Sequence, residues 1–144
     1  MDLPHDHEKL TALFENARTP RPSEFGGEYY VDMLTRTPSL RGFAHRKVFR
    51  TDGSQVVGEN ILFNKKTWGQ FRLEEGVFED LGVVVINYGV PANSFLSRRI
   101  RDQVRCLEEG RLYLGRFNFL IQGSLRFAGY FSLTKVQPGA GPDA

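Results

Sequence analysis

One cysteine, Cys106, and three histidines, His5, His7 and His45, are all that the 144 residues offer as soft or borderline metal ligands. A lone cysteine excludes a disulfide framework within the chain and a cysteine-built zinc knuckle. His5 and His7 flank Asp6 while His45 is distant in sequence, so no metal-ligand spacing arises and neither a metal nor another cofactor is expected. No apolar run approaches the ~20 residues of a membrane-spanning helix, and no membrane insertion is expected. Glycine-rich phosphate loops are missing too, Gly26-Gly27 being an isolated pair. The formal charge is only +2, too small to suggest a nucleic-acid partner. Residues Met1 to Glu8 lack the basic and apolar stretches of a secretion signal, which sets a cytoplasmic location as the expectation.

What is present describes one folded domain. Hydrophobic residues make up 40% and charged residues 25%, the balance of an ordinary soluble core and surface. An opening helix is expected after an Asp6 N-cap, because Leu10, Leu13, Phe14 and Ala17 recur at helical spacing. It ends before Pro20 and Pro22, so residues 1–22 are read as a helix with a proline-rich link. Residues 23–136 read as one β domain, and 137–144 as a disordered tail. The first strand is read at Glu28–Leu34. The others are Leu40–Arg50, Val56–Phe63, Trp68–Glu74, Leu81–Tyr88, Arg98–Leu107, Arg111–Ile121 and Leu125–Val136. Turn chemistry separates them at Asp52-Gly53-Ser54, Asn64-Lys65-Lys66, Glu75-Gly76, Pro91–Ser94, Glu108–Gly110 and Gln122-Gly123-Ser124. Links this short favour antiparallel neighbours. The expected fold is therefore mainly β: an up-and-down antiparallel meander of about eight strands closing into a barrel, with one short N-terminal helix.

Side chains alternate between the two faces of a strand. Phe43, His45, Lys47 and Phe49 share one face, as do Val57, Glu59, Ile61 and Phe63. Pairing about Asp52-Gly53 sets Lys47 near Glu59, either as a rim ion pair with the ammonium lifted into water or as a carboxylate at a cavity mouth. In Arg98–Leu107, Asp102 lies on the apolar face with Ile100, Val104 and Cys106. It is either a structural carboxylate held by backbone amides or a facing arginine, or a polar anchor and proton acceptor in a pocket. The opposite face carries Arg99, Arg101, Gln103 and Arg105 and reads as solvated. Twelve phenylalanines, five tyrosines and one tryptophan exceed the needs of a core of this size. Tyr113, Phe117 and Phe119 share a face of one strand, Phe127 and Phe131 a face of the next. They either wall a cavity or pack into a filled barrel, and Trp68 could seal one end.

Gly27-Glu28-Tyr29, at the start of the first strand after a short helix, stands where lipocalins carry Gly-X-Trp. With the meander that follows, the chain resembles the calycin group of lipocalins, fatty-acid-binding proteins and nitrobindin-like barrels. Ile100–Arg105, Tyr113-Leu114-Gly115 and Gly129-Tyr130-Phe131 resemble the end of bacterial GXWXG-type lipocalin-like proteins. The resemblance implies a barrel with an apolar ligand cavity. Nitrobindin-like proteins bind haem through a late histidine, and here none follows His45.

The first expectation is thus a small-molecule-binding barrel holding an apolar ligand. Asn60, Trp68, Phe71, Asp102, Tyr113, Phe117, Phe119, Phe127 and Phe131 are its candidate contacts, and Glu59 is a further polar group. The alternative is a cofactor-independent cyclase or isomerase in the same cavity, with Asp102 or Glu59 as general acid or base and His45 or Tyr113 assisting. The third is a non-enzymatic module that forms a homodimer.

Overall fold

The computed structural model describes residues 2–35, 46–62 and 65–137. His45, Phe43, Phe63 and all but the first residue of the 137–144 tail lie outside the described residues. Helix α1 (His7–Asn16) is followed by eight strands, β1 (Gly27–Met33), β2 (Arg46–Asp52), β3 (Gln55–Ile61), β4 (Thr67–Phe78), β5 (Leu81–Asn87), β6 (Arg101–Glu108), β7 (Leu112–Ile121) and β8 (Ser124–Lys135). Each strand pairs antiparallel with the next, and β8 returns to β1 through Tyr29↔Lys135 to Met33↔Phe131, closing the barrel. The expected fold class, mainly β with an up-and-down antiparallel barrel and one N-terminal helix, is the observed one.

Three local readings change. Glu75-Gly76 is not a turn: β4 runs through it to Phe78, and the reversal falls on Glu79-Asp80. Both of those residues have positive φ, 47° and 68°, the backbone that a two-residue hairpin turn needs to match strand twist. Before β6, Ser97–Arg99 forms a turn of 3-10 helix, and the strand itself begins at Arg101. The β2–β3 hairpin turns on Gly53-Ser54 alone, pairing Asp52 with Gln55. This moves the register by one residue from the expected one, so Lys47 opposes Asn60 and Val48 opposes Glu59. A one-residue slip exchanges the faces of a strand. Glu59 accordingly faces outward, 3.6 Å from Arg50, and the Lys47–Glu59 pair does not form.

The barrel interior is a stack of rings. Phe25 enters the lower end from the segment preceding β1 and lies 4.5 Å from Tyr113 and 5.2 Å from Phe49, centroid to centroid. Tyr29 packs among them, and above come Phe71, Phe131 and Tyr88, all buried. Two glycines make room: a Cβ on Gly58 would run into the Phe71 ring, and one on Gly115 into the Phe131 ring. Phe71, Tyr113 and Phe131 therefore belong to the packed rings of the barrel.

Helix α1 lies on the outer wall. Asp6 caps it, accepting from the Lys9 amide at 3.0 Å, and Leu10 and Phe14 bury against Val83, Leu114 and Tyr130. The outer face of β6 is consequently not solvated where the helix crosses it. Arg105 is buried there, with Nε donating to the Phe14 carbonyl at 2.7 Å and Nη1 to the Gly82 carbonyl at 2.6 Å, while Nη2 donates to the Ala17 carbonyl. The helix has no basic residue in its own last turn; Arg105 supplies the cation that a C-terminus favours. A bulge between Phe117 and Asn118 in the β7–β8 pairing flips the alternation, which turns Phe127 outward. It packs on Tyr130 and His7 and lies 4.2 Å from the Arg116 guanidinium, so Phe127 is not an interior ligand contact. Arg105→Met should leave the barrel intact but strip three carbonyls of their donor, costing about 1–3 kcal/mol in urea unfolding and loosening hydrogen-exchange protection of α1; unchanged α1 protection would refute that role for Arg105.

Candidate functional site

The two ends of the barrel differ. At the lower end the chain from Arg18 to Phe25 folds across the opening. Arg18 makes an isolated bridge to Cys106 and an ion pair at 2.6 Å with Glu24, which also accepts from the Tyr113 hydroxyl at 3.0 Å. Burial pushes the Glu24 carboxyl up, but the hydrogen bonds from Arg18, the Arg21 amide and Tyr113 outweigh it and hold the group below its ordinary value. Tyr113 thus belongs to this closure and not to a ligand pocket.

At the upper end the ring stack stops, and a cavity of ≈ 340 Å³ remains, lined by Trp68, Leu96, Ser97, Arg99, Ile100, Phe119 and Ile121. That is the lower part of the size range of small-molecule sites. Trp68 is placed by a bulge at the start of β4: Gly69, with φ of +70°, is the extra residue, so Trp68 pairs with Asn60. The wall opposite is the connection between β5 and β6. Asn93 pins it, accepting from the Gln70 amide at 2.8 Å and donating to the carbonyls of Gln70 at 2.6 Å and Tyr88 at 2.7 Å. Arg98 then donates to the Asn93 carbonyl at 2.9 Å, so the segment carrying Leu96, Ser97 and Arg99 is braced on the barrel rim.

Beneath the cavity, in register, is a layer of buried polar groups. Asp102 follows Ile100 on the same inner face of the strand, one side-chain step of about 7 Å deeper, and is fully buried. Lys47, Asn60 and Tyr88 complete the layer. The Lys47 Nζ donates to Asn60 Oδ1 at 2.8 Å and to the Tyr88 hydroxyl, and the Asn60 amide donates to the same hydroxyl at 2.9 Å. Lys47 Nζ also stands 5.1 Å from the centroid of the Tyr88 ring and 5.4 Å from that of Phe71, where ring faces favour a cation. The expected rim lysine is therefore an interior one, 4% exposed. Asp102 Oδ2 is 4.0 Å from Lys47 Nζ. Neither Asp102 oxygen has a hydrogen-bond partner; the Asn118 amide lies near enough to favour the ionised form without closing a bond.

Burial dominates the electrostatics of the pair. It pushes the Asp102 carboxyl up to about 7, with the Lys47 charge and the Asn118 amide opposing. It pushes the Lys47 ammonium down to about 8, with the Asp102 charge opposing. The Tyr88 hydroxyl is held well above its ordinary value by burial and by the Asp102 carboxylate. The arrangement can bind a polar group and can hold or pass a proton near neutral pH. Among the described residues no cluster of histidine, cysteine and acidic side chains is placed to hold a metal ion.

The residues singled out by sequence thus separate. Trp68 and Phe119 line the cavity, with Phe117 5.1 Å from Phe119, and Asn60 and Asp102 form the layer below. Phe71 and Phe131 belong to the packed rings, Tyr113 to the lower closure, and Glu59 and Phe127 to the outside. Sequence reasoning missed Lys47 as an interior partner, Tyr88, and the cavity wall at Leu96 and Ser97. Lys47 carried a signal, since it alternates with Phe49 on an inward face; Leu96 and Ser97, in a connection without periodicity, carried none.

The pair's pH dependence has a definite sign. From about pH 4 to 7 folded Asp102 keeps a proton that the unfolded chain has lost, so stability falls as pH rises. From about pH 8 to 10 folded Lys47 has lost a proton that the unfolded chain keeps, so stability rises. Urea unfolding across this range should show a shallow minimum between about 7 and 8, and the Lys47→Met, Asp102→Leu double variant should remove it; a minimum that survives would place its origin in other groups.

No family model matches the chain, and no curated protein matches it. In three dimensions it is similar to a solved structure, a protein from Thermomonospora curvata, with a TM-score of 0.66 and 17% sequence identity over 92% of this chain and 88% of that one. At that identity the likeness shows the fold alone. No helix among the described residues is long and apolar enough to cross a membrane. The closed eight-strand antiparallel barrel is the fold for which that structure is a neighbour.

Proposed function

We propose that this protein binds a small, largely apolar molecule in the cavity at the upper end of its barrel. The observation that carries this reading is the juxtaposition of an apolar cavity with a buried carboxylate that has no hydrogen-bond partner one layer below. Evolution tolerates an unsatisfied buried acid where a site uses it. The lower barrel is filled by rings, so the ligand sits between Trp68 and Phe119 and not along the barrel axis. Burial of its apolar body supplies affinity at about 25 cal/mol per Å², and the polar layer orients it.

Protein purified from its own host should carry a stoichiometric small molecule in native mass spectrometry. Ser97→Leu, which builds into the cavity without touching the polar layer, should weaken binding by about 1–3 kcal/mol, roughly tenfold or more. Full binding by this variant would move the ligand elsewhere.

A second reading is a cofactor-independent cyclase or isomerase on the same site. It is favoured by the geometry of one pair: Asp102 and Lys47 are buried 4.0 Å apart, and burial pushes the carboxyl up to about 7 and the ammonium down to about 8, the range where a general acid or base works best. Glu59 faces outward and has no part in it. Asp102→Asn should leave the fold in place while ending any turnover; product formation at the wild-type rate would dispose of the acid–base role.

A further inference from the structure

The polar layer has an asymmetry that restricts what the cavity can take. Lys47 is a donor only, and its ammonium is shared between Asn60 Oδ1, the Tyr88 hydroxyl and the charge of Asp102. The Asn60 amide is used on Tyr88, and the Tyr88 hydroxyl lies 3.2 Å from Asn60 Oδ1 as a donor in its turn. The acceptors left without a donor in this layer are the two Asp102 oxygens. When ionised, a carboxylate accepts and cannot donate. A buried acceptor without a donor is costly, and the cost is relieved by taking up a proton or by a group that brings a donor.

Resting on the cavity reading, we infer that the bound molecule presents a neutral hydrogen-bond donor, a hydroxyl or N–H at the end of an apolar body, to Asp102, and that carboxylic acids are rejected. A carboxylate ligand would bring a second acceptor-only negative group to a layer whose one ammonium already faces one carboxylate, and like charges at close range repel. The ionisable groups facing Asp102 are Lys47 from β2 and Tyr88 after β5; Tyr88 stays neutral, so neither offers a free charge for an anion. Arg99 lines the cavity, but its guanidinium is stacked 4.5 Å from the centroid of the exposed Phe95 ring. A site built around an unmet acceptor discriminates strongly against an analogue that lacks the donor.

Three probes of nearly one shape decide the matter: 4-propylphenol, which donates; 4-propylanisole, which does not; and 4-propylbenzoate, which is an anion. Their affinities are measured by calorimetry and by emission of Trp68, the one tryptophan of the chain and a wall of the cavity. The phenol should bind roughly tenfold or more tighter than the anisole, and the benzoate most weakly. Equal binding of phenol and anisole, or tightest binding of the benzoate, overturns the inference while leaving the cavity reading in place. Failure of all three to bind removes the cavity reading itself. Asp102→Asn should bring the phenol down towards the anisole. Should that variant not fold, the wild type gives the same information, because the phenol's advantage must shrink as pH falls below about 7 and Asp102 takes up its proton; an advantage that does not change would count against Asp102 as the acceptor.

Discussion

An eight-strand barrel has a fixed and narrow interior, wide enough for layers of side chains or for one small ligand but not for both along its whole length. This chain spends most of that width on aromatic rings. Phe25, Tyr29, Phe49 and Tyr113 pack the lower end, and Phe71 and Phe131 lie across the backbone at Gly58 and Gly115, where the missing Cβ atoms leave the space. Each ring that reaches the axis shortens the volume left above it. The cavity at the upper end is what remains once the stack has ended, and its walls are Trp68, Ile100 and Phe119.

The boundary between packed rings and cavity is the least favourable part of the interior. Burying an ammonium and a carboxylate costs more in lost hydration than a 4.0 Å contact returns. The pair is tolerated because Asn60, Tyr88 and the ring faces compensate the lysine, whereas the aspartate has only the Lys47 charge and the Asn118 amide against its burial. The two charges are therefore unequal partners. Lys47 has two hydrogen-bond partners and Asp102 has none.

The outer wall follows a separate logic. Helix α1 covers the strip formed by Val83, Leu114 and Tyr130, and it does so with a borrowed cap, because Arg105 reaches from β6 to the last carbonyls of the helix. Arg116 acts through rings instead, its guanidinium 4.3 and 4.2 Å from the Phe78 and Phe127 centroids while it donates to the Tyr130 hydroxyl at 3.0 Å. Arginines on that face are thus glue between helix and sheet, with their charges stacked on rings and spent on backbone carbonyls.

Strand alternation, turn residues and the helical spacing of Leu10 and Phe14 are local signals, and they determined the class of fold, the order of its elements and the inward position of Asp102. Local signals also marked Lys47 as inward, but not its partner. That depended on whether the β2–β3 turn held two residues, and one residue of slip exchanges Glu59 for Asn60. Phe127 was lost to a bulge in β8, and the arginine face to a helix that packs from almost a hundred residues away. Register, bulges and docking are decided by how whole strands fit together around a closed circumference, where a small local preference is overruled by the packing of many side chains. The sequence by itself therefore determined a barrel with a buried acid, and only the closed structure decided which cation meets that acid, where the rings stop, and where a ligand has room.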